Sequence, residues 1–190
     1  MTQAFNLGSA ANNFSPTGVS GLVYQLNTAY AGANATGAQS LFGVGVTLTS
    51  STIYQIEAVF ALSKTAGTTA HLFSLSFGGT ATLNNIGYSI IDFSGSSSFT
   101  AGNTAGGVAE FGMFIQTASA TQINSFSTST TYYQTYLLKG TVSINAGGTF
   151  IPQYTLSAAP GGAYTTQIGS YITLTPIGAA GSNVNVGGWA

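Results

Sequence analysis

A chain of 190 residues with two basic and three acidic side chains has a net charge of -1, and charged residues make up 3% of it, against about 25% in an ordinary soluble domain. This composition argues against nucleic-acid binding, which needs Lys and Arg to neutralise phosphates, and against disorder, because 12 Phe, 10 Tyr and 44% hydrophobic residues can build a core. No run of about 20 apolar residues is present to span a membrane as a helix, and the absence of cysteine removes disulfide and thiolate chemistry.

Residues 1–20 read as an extended polar arm carrying Phe5, Leu7 and Phe14, with Pro16 and Gly18 near its end. The arm lacks the positive charge and apolar stretch of a cleaved export signal. The triplets Asn13-Phe14-Ser15 and Asn34-Ala35-Thr36 therefore read as chance matches to a glycosylation motif. Residues 21–30, GLVYQLNTAY, fit a short helix or a strand, and 31–40 is a small-residue loop. Strand signals then dominate. LFGVGVTLT (41–49) alternates with Phe42, Val44, Val46 and Leu48 on one face. TIYQIEAVFAL (52–62) sets Tyr54, Ile56, Ala58, Phe60 and Leu62 against Ile53, Gln55, Glu57, Val59 and Ala61. After a turn at 63–69 containing Gly67, AHLFSLSF (70–77) puts His71, Phe73, Leu75 and Phe77 on one face, a period of two.

Further strands are expected at 80–83, 86–93, 108–116, 121–126, 131–144, 149–157 and 170–178. Gly/Ser/Pro-rich loops separate them, 95–107 and 158–169 being the longest. Pro152 inside TFIPQYTLS predicts an edge strand or a bulge, since proline cannot donate to a ladder. Many short strands between turn clusters predict an all-β fold: an antiparallel β-sandwich of jelly-roll type over 21–190, with the N-terminal arm over 1–20.

Candidate chemistry is sparse. His71 is the one histidine; on a strand face with Phe73 it reads as a core-edge or subunit-interface residue rather than a catalytic base. Glu57 and Glu110 sit in apolar strands and form the one conceivable acid pair of a glycosidase, which needs carboxylates roughly 5–10 Å apart. Pairing with Lys64 or Lys139, or a solvent-facing role, accounts for them equally well. Three scattered carboxylates and one histidine match no metal-site spacing, and no cofactor motif is present. The tyrosines Tyr132, Tyr133, Tyr136, Tyr154, Tyr164 and Tyr171 could stack on sugars, although strand propensity alone places tyrosine there. Trp189, one residue from the end of the sequence, either anchors on a neighbouring subunit or closes its own sandwich.

The arrangement LKGT-x-x-x-x-x-GGTFIPQYTLS (138–157), the loop Pro160-Gly161-Gly162 and then GSYITLTPIG (169–178) resembles the C-terminal part of virion structural proteins of tailed bacteriophages, particularly those of cyanobacteria and other marine bacteria. The opening MTQAFNLGSAANNFSPTG is similar to their N-terminal segment, while about 25–130 agrees in composition and strand rhythm alone. The resemblance implies a trimeric β-domain used as a fibre tip, short fibre or capsid decoration (cement) protein, and it carries no catalytic residues. With no room for a repeating shaft, a non-enzymatic cement protein on the exterior of the virion, made in the host cytoplasm, is the expectation. Its partners would be two further copies of itself and the major capsid protein. Phe5, Leu7 and Phe14 would anchor the arm on the capsid, and His71, Phe73 and Trp189 would line the subunit interface. The alternative is a fibre knob holding a host glycan with Tyr132, Tyr133 and Tyr164.

Overall fold

The computed structural model describes residues 21–64, 67, 69–93, 109–126 and 132–181, the side chains of 109–111 excepted. Thirteen strands occur among them: β1 (Leu22–Gln25), β2 (Tyr30–Ala31), β3 (Gln39–Ser40), β4 (Val46–Leu48), β5 (Thr52–Lys64), β6 (His71–Gly78), β7 (Thr82–Phe93), β8 (Ala109–Ile115), β9 (Thr121–Phe126), β10 (Tyr132–Ala146), β11 (Gly148–Leu156), β12 (Tyr164–Thr166) and β13 (Tyr171–Ala179). They form two antiparallel sheets. The larger runs β1-β13-β5-β10-β7-β8, with β12 also on β5 and β2 on β12. The smaller runs β3-β11-β6-β9, with β4 also on β11. The pairings β4–β11, β5–β10, β6–β9 and β7–β8 are nested one inside the next.

The alternation read in the sequence places the core. On β5 the side chains of Tyr54, Ile56, Ala58, Phe60 and Leu62 are buried, and β6 buries His71, Phe73, Leu75 and Phe77. These faces meet Ile86, Tyr88 and Ile90 of β7, Tyr136, Leu138, Val142 and Ile144 of β10, and Phe150, Tyr154 and Leu156 of β11. Each large side chain removed from water contributes about 1.5–3 kcal/mol. Several buried polar groups find partners within the core, as most do. Thr166 donates to the Leu41 carbonyl at 2.6 Å, and Ser170 Oγ accepts from the Ala61 N–H at 3.0 Å. At Gly140, whose neighbours in register are Ile56 and Tyr88, an added Cβ would lie 2.2 Å from the Gly87 carbonyl oxygen. The absent side chain lets Tyr88 close over that point.

The structure corrects several expectations. The proposed strand 41–49 is strand only at β4. Gly43 turns the chain with φ +73°, a conformation that glycine adopts without strain, and both Leu41 and Phe42 are buried. Segments 80–83 and 86–93 are one strand, β7. Residues 158–169 contain β12, which continues along β5 where β13 leaves off. Pro152 lies on an inner strand, not an edge. The irregularity is in its partner: β4 pairs with Gly148–Phe150 and β3 with Gln153 and Tyr154, leaving a break at Ile151 and Pro152. The Pro152 carbonyl accepts from Leu41 N–H on that side. A residue's N–H and C=O point the same way in an antiparallel ladder, so the donor that proline lacks would have faced the break.

Candidate functional site

Two arrangements stand out: a closed polar cluster at one end of the sandwich and an apolar outer face on the larger sheet. The alternation of β5 ends by turning Lys64 inward, opposite Tyr132 of β10 and Tyr164 of β12. Lys64 is 1% exposed, and its ammonium has no hydrogen-bond partner among the described residues. It lies 5.2 Å from the centroid of the Tyr132 ring, within cation–π range. Burial lowers its pKa from the ordinary lysine value, partly opposed by Tyr132.

His71 opens β6 beside this amine. Its Nδ1 is 2.9 Å from the Thr69 carbonyl oxygen, and its Nε2 is 2.7 Å from the Tyr164 hydroxyl. A carbonyl can only accept, so Nδ1 carries the proton, and in the neutral ring Nε2 then accepts from the Tyr164 hydroxyl. Burial lowers the His71 pKa, the Thr69 carbonyl opposes this, and the Lys64 charge adds to it. Burial likewise raises the Tyr164 pKa, helped by Tyr132 and Tyr154. Phe126 packs on both His71 and Tyr132, with centroids 5.5 and 4.4 Å away. A neutral imidazole accepting from a phenol could relay a proton. Here Lys64, His71 and Tyr164 are all buried.

A second polar link joins the sheets. Asp92 continues the inward face of β7 and accepts from the side-chain amide of Asn124 on β9. Asn124 Oδ1 accepts the Ser125 N–H at 2.8 Å. Nearby Tyr136 donates to Gln134 at 2.7 Å, and its pKa is raised well above the usual phenol value, chiefly by burial and secondarily by the Asp92 charge.

On the opposite side of the larger sheet, the register aligns Ile91, Leu137, Val59 and Tyr171 in one row across β7, β10, β5 and β13. The adjacent row is Phe114, Ser89, Lys139, Glu57 and Thr173. Phe114 is 63% exposed and its ring lies over Gly87, while Ile91, Phe93 and Leu137 are each 38–39% exposed. A shallow depression of about 250 Å³ is lined by Glu57, Val59, Ser89, Ile91, Leu137 and Lys139. Single exposed apolar residues are ordinary, whereas here several share one row. Glu57 and Lys139, directly opposed, balance each other's charge within it.

The residues singled out by sequence separate accordingly. His71 and Phe73 are 3% and 0% exposed. They belong to the core of one chain and offer no surface to a subunit interface, because the inward face of β6 is covered by the other sheet. Tyr164, at 1% exposed, cannot stack on a glycan for the same reason. Tyr132 is half-buried between Lys64 and Phe126, and Tyr133, next to it on β10, is half-buried too. Glu57 and Glu110 are carried by β5 and β8, with β10 and β7 between them. Three strand spacings are roughly 14 Å, too wide for a glycosidase pair. Phe5, Leu7, Phe14, Trp189 and the loop 95–107 lie outside the described residues, as does the side chain of Glu110. Among the described residues no three metal-ligating side chains gather, and no helix is long and apolar enough to cross a membrane. Sequence reasoning missed Lys64, the Asp92–Asn124 link and the outer row. The first two were signalled by strand alternations that continue inward one step beyond the apolar residues. No protein-family model, curated protein or solved structure matches the chain.

Proposed function

We propose that this chain is a structural subunit of a tailed-bacteriophage virion, and within it a capsid decoration (cement) protein. It acts as a homotrimer on the exterior of the head, through non-covalent contacts with the major capsid protein. The observation that carries this reading is the row of exposed apolar side chains on the outer face of the larger sheet, on a chain whose charged side chains make up 3% of the sequence. Net charge near zero favours association, and a surface that is apolar, charge-balanced and rigidly backed suits a fixed neighbour.

The wiring supports the same reading. Four nested strand pairs, β4–β11, β5–β10, β6–β9 and β7–β8, alternate between two sheets; we read this as a jelly roll, an architecture found in viral capsids and lectins. On this reading β1, β2, β12 and β13 enlarge one of its sheets. Cementing is mass action: a protein that binds the assembled shell and not its dissociated subunits stabilises the shell.

A fibre knob binding a host glycan is less well supported, because Tyr164 is buried and Tyr132 packs on Lys64 and Phe126. The copy number per particle, read from stained gels of purified virions, tests the choice. A decoration protein is expected in hundreds of copies. A few copies per particle, with labelled protein binding host cells, would move the assignment to the tail.

A further inference from the structure

A second apolar surface opens at the side of the sandwich. A groove of about 230 Å³ runs between β1 and β13 of the larger sheet and β4 and β11 of the smaller one, lined by Leu22, Tyr24, Val46, Phe150, Ile172 and Leu174. Val23 and Val44 at its rim are 43% and 40% exposed. Among the described residues both flanking strands are sheet edges: β1 pairs with β13, and β4 with β11. Two rows of backbone donors and acceptors therefore border an apolar cleft. An extended segment lying in it would pair with an edge through its backbone and drop alternate side chains between the sheets.

We infer that the occupant is the N-terminal segment of a neighbouring copy, with Phe5 and Leu7 seated in the groove. The two residues are two positions apart, so an extended chain presents both on one face and turns Asn6 to the other. The chain joins the described body at Gly21, next to Leu22, which itself lines the groove. Residues 8–20 are thirteen in number and span up to about 45 Å when extended. The thirteen-residue β5 is about as long, so the segment reaches across one sandwich to the next. This assignment rests on the reading of the protein as an oligomeric assembly subunit, and it gives that assembly a strand-exchange contact separate from the outer face of the larger sheet.

The chain has no cysteine, so disulfide trapping in the full-length protein tests the assignment cleanly. Leu7→Cys and Val44→Cys in one chain, after mild oxidation, are expected to give a ladder of covalent oligomers on denaturing gels. Co-refolding the two single variants is expected to give a cross-linked dimer that needs both. Adding Val23→Asp at the rim is expected to abolish the ladder while leaving Tm unchanged. An exclusively intramolecular cross-link, or none in a protein that light scattering shows to be oligomeric, would overturn the arm-in-groove contact and leave the assembly reading standing. A monomer by light scattering would overturn both.

Discussion

The Phe73 ring lies almost parallel to Tyr136, with centroids 5.8 Å apart and planes 10° from coincidence, although the two belong to different sheets. Tyr136 stacks in turn on Phe60 at 5.0 Å, and Phe73 on Tyr154 at 5.4 Å. Four rings thus run in one series from β5 and β10 through the core to β6 and β11. Aromatic pairs of this kind add about 0.5–1.5 kcal/mol each beyond the area they bury.

Truncating the centre of that series should be costly. Phe73→Ala is expected to destabilise the fold by about 3–5 kcal/mol in urea titrations, and Phe73→Leu by less, because it keeps most of the apolar volume. A loss below about 1 kcal/mol for the alanine variant would show that the sheets close over the gap.

Lys64 is expected to weaken the fold it sits in. An ammonium that is 1% exposed with no hydrogen-bond partner among the described residues has given up its water for the Tyr132 ring contact. Lys64→Met should keep the volume and raise stability at neutral pH by about 1–3 kcal/mol. A fall of that size in urea titration would mean that the Tyr132 contact outweighs the lost hydration.

Titration should narrow stability at both ends of the pH scale. Burial raises the phenol pKa values of Tyr88 and Tyr154 to about 12, and those of Tyr136 and Tyr164 also rise. Between the unfolded value of about 10 and these folded values, the unfolded chain holds fewer protons than the folded one. Stability therefore falls as pH rises through that window, by up to about 1.4 kcal/mol per pH unit for each such tyrosine. Phenolate absorbance should appear together with loss of structure. On the acid side, burial lowers the folded pKa of His71 below 6.5, so its contribution is complete above the unfolded value of about 6.5 and is lost as pH falls from there through the folded pKa. A His71→Gln variant should flatten the acid limb of a Tm-against-pH plot, and an unchanged limb would assign it to other groups.

The outer row should govern association without governing folding. Leu137→Asp places a carboxylate between Ile91 and Val59 on a solvent-facing position. Sedimentation is expected to show a shift toward monomer with Tm lowered by no more than a few degrees. An unchanged sedimentation profile would remove this face from the proposed assembly.

The long strands were legible because their sequence alternates over many residues: β5, β6 and β11 each bury one face and leave the other partly open. β2, β3 and β12, two or three residues each, are too short for any period to register. In 41–49 the valines and leucines kept the rhythm of a strand, but Gly43 reversed the backbone. The cluster around Lys64 was half visible. Extending the series from Tyr54 to Leu62 by two residues places the lysine inside, yet the register with Tyr132 and Tyr164 depends on strands distant in sequence. The outer row arises from the same cause, since Ile91, Leu137 and Val59 become neighbours only once β7, β10 and β5 are side by side.

β1 and β13 run antiparallel, with Leu22 opposite Leu174, so Gly21 and the end of β13 emerge at the same end of that ribbon. Traction applied between these two points would peel the ribbon apart one rung at a time instead of shearing all its rungs together. By contrast, β10 is held along its length by β5 on one side and β7 on the other. A load carried across the broad sheet would meet more resistance than one applied at Gly21 and the end of β13.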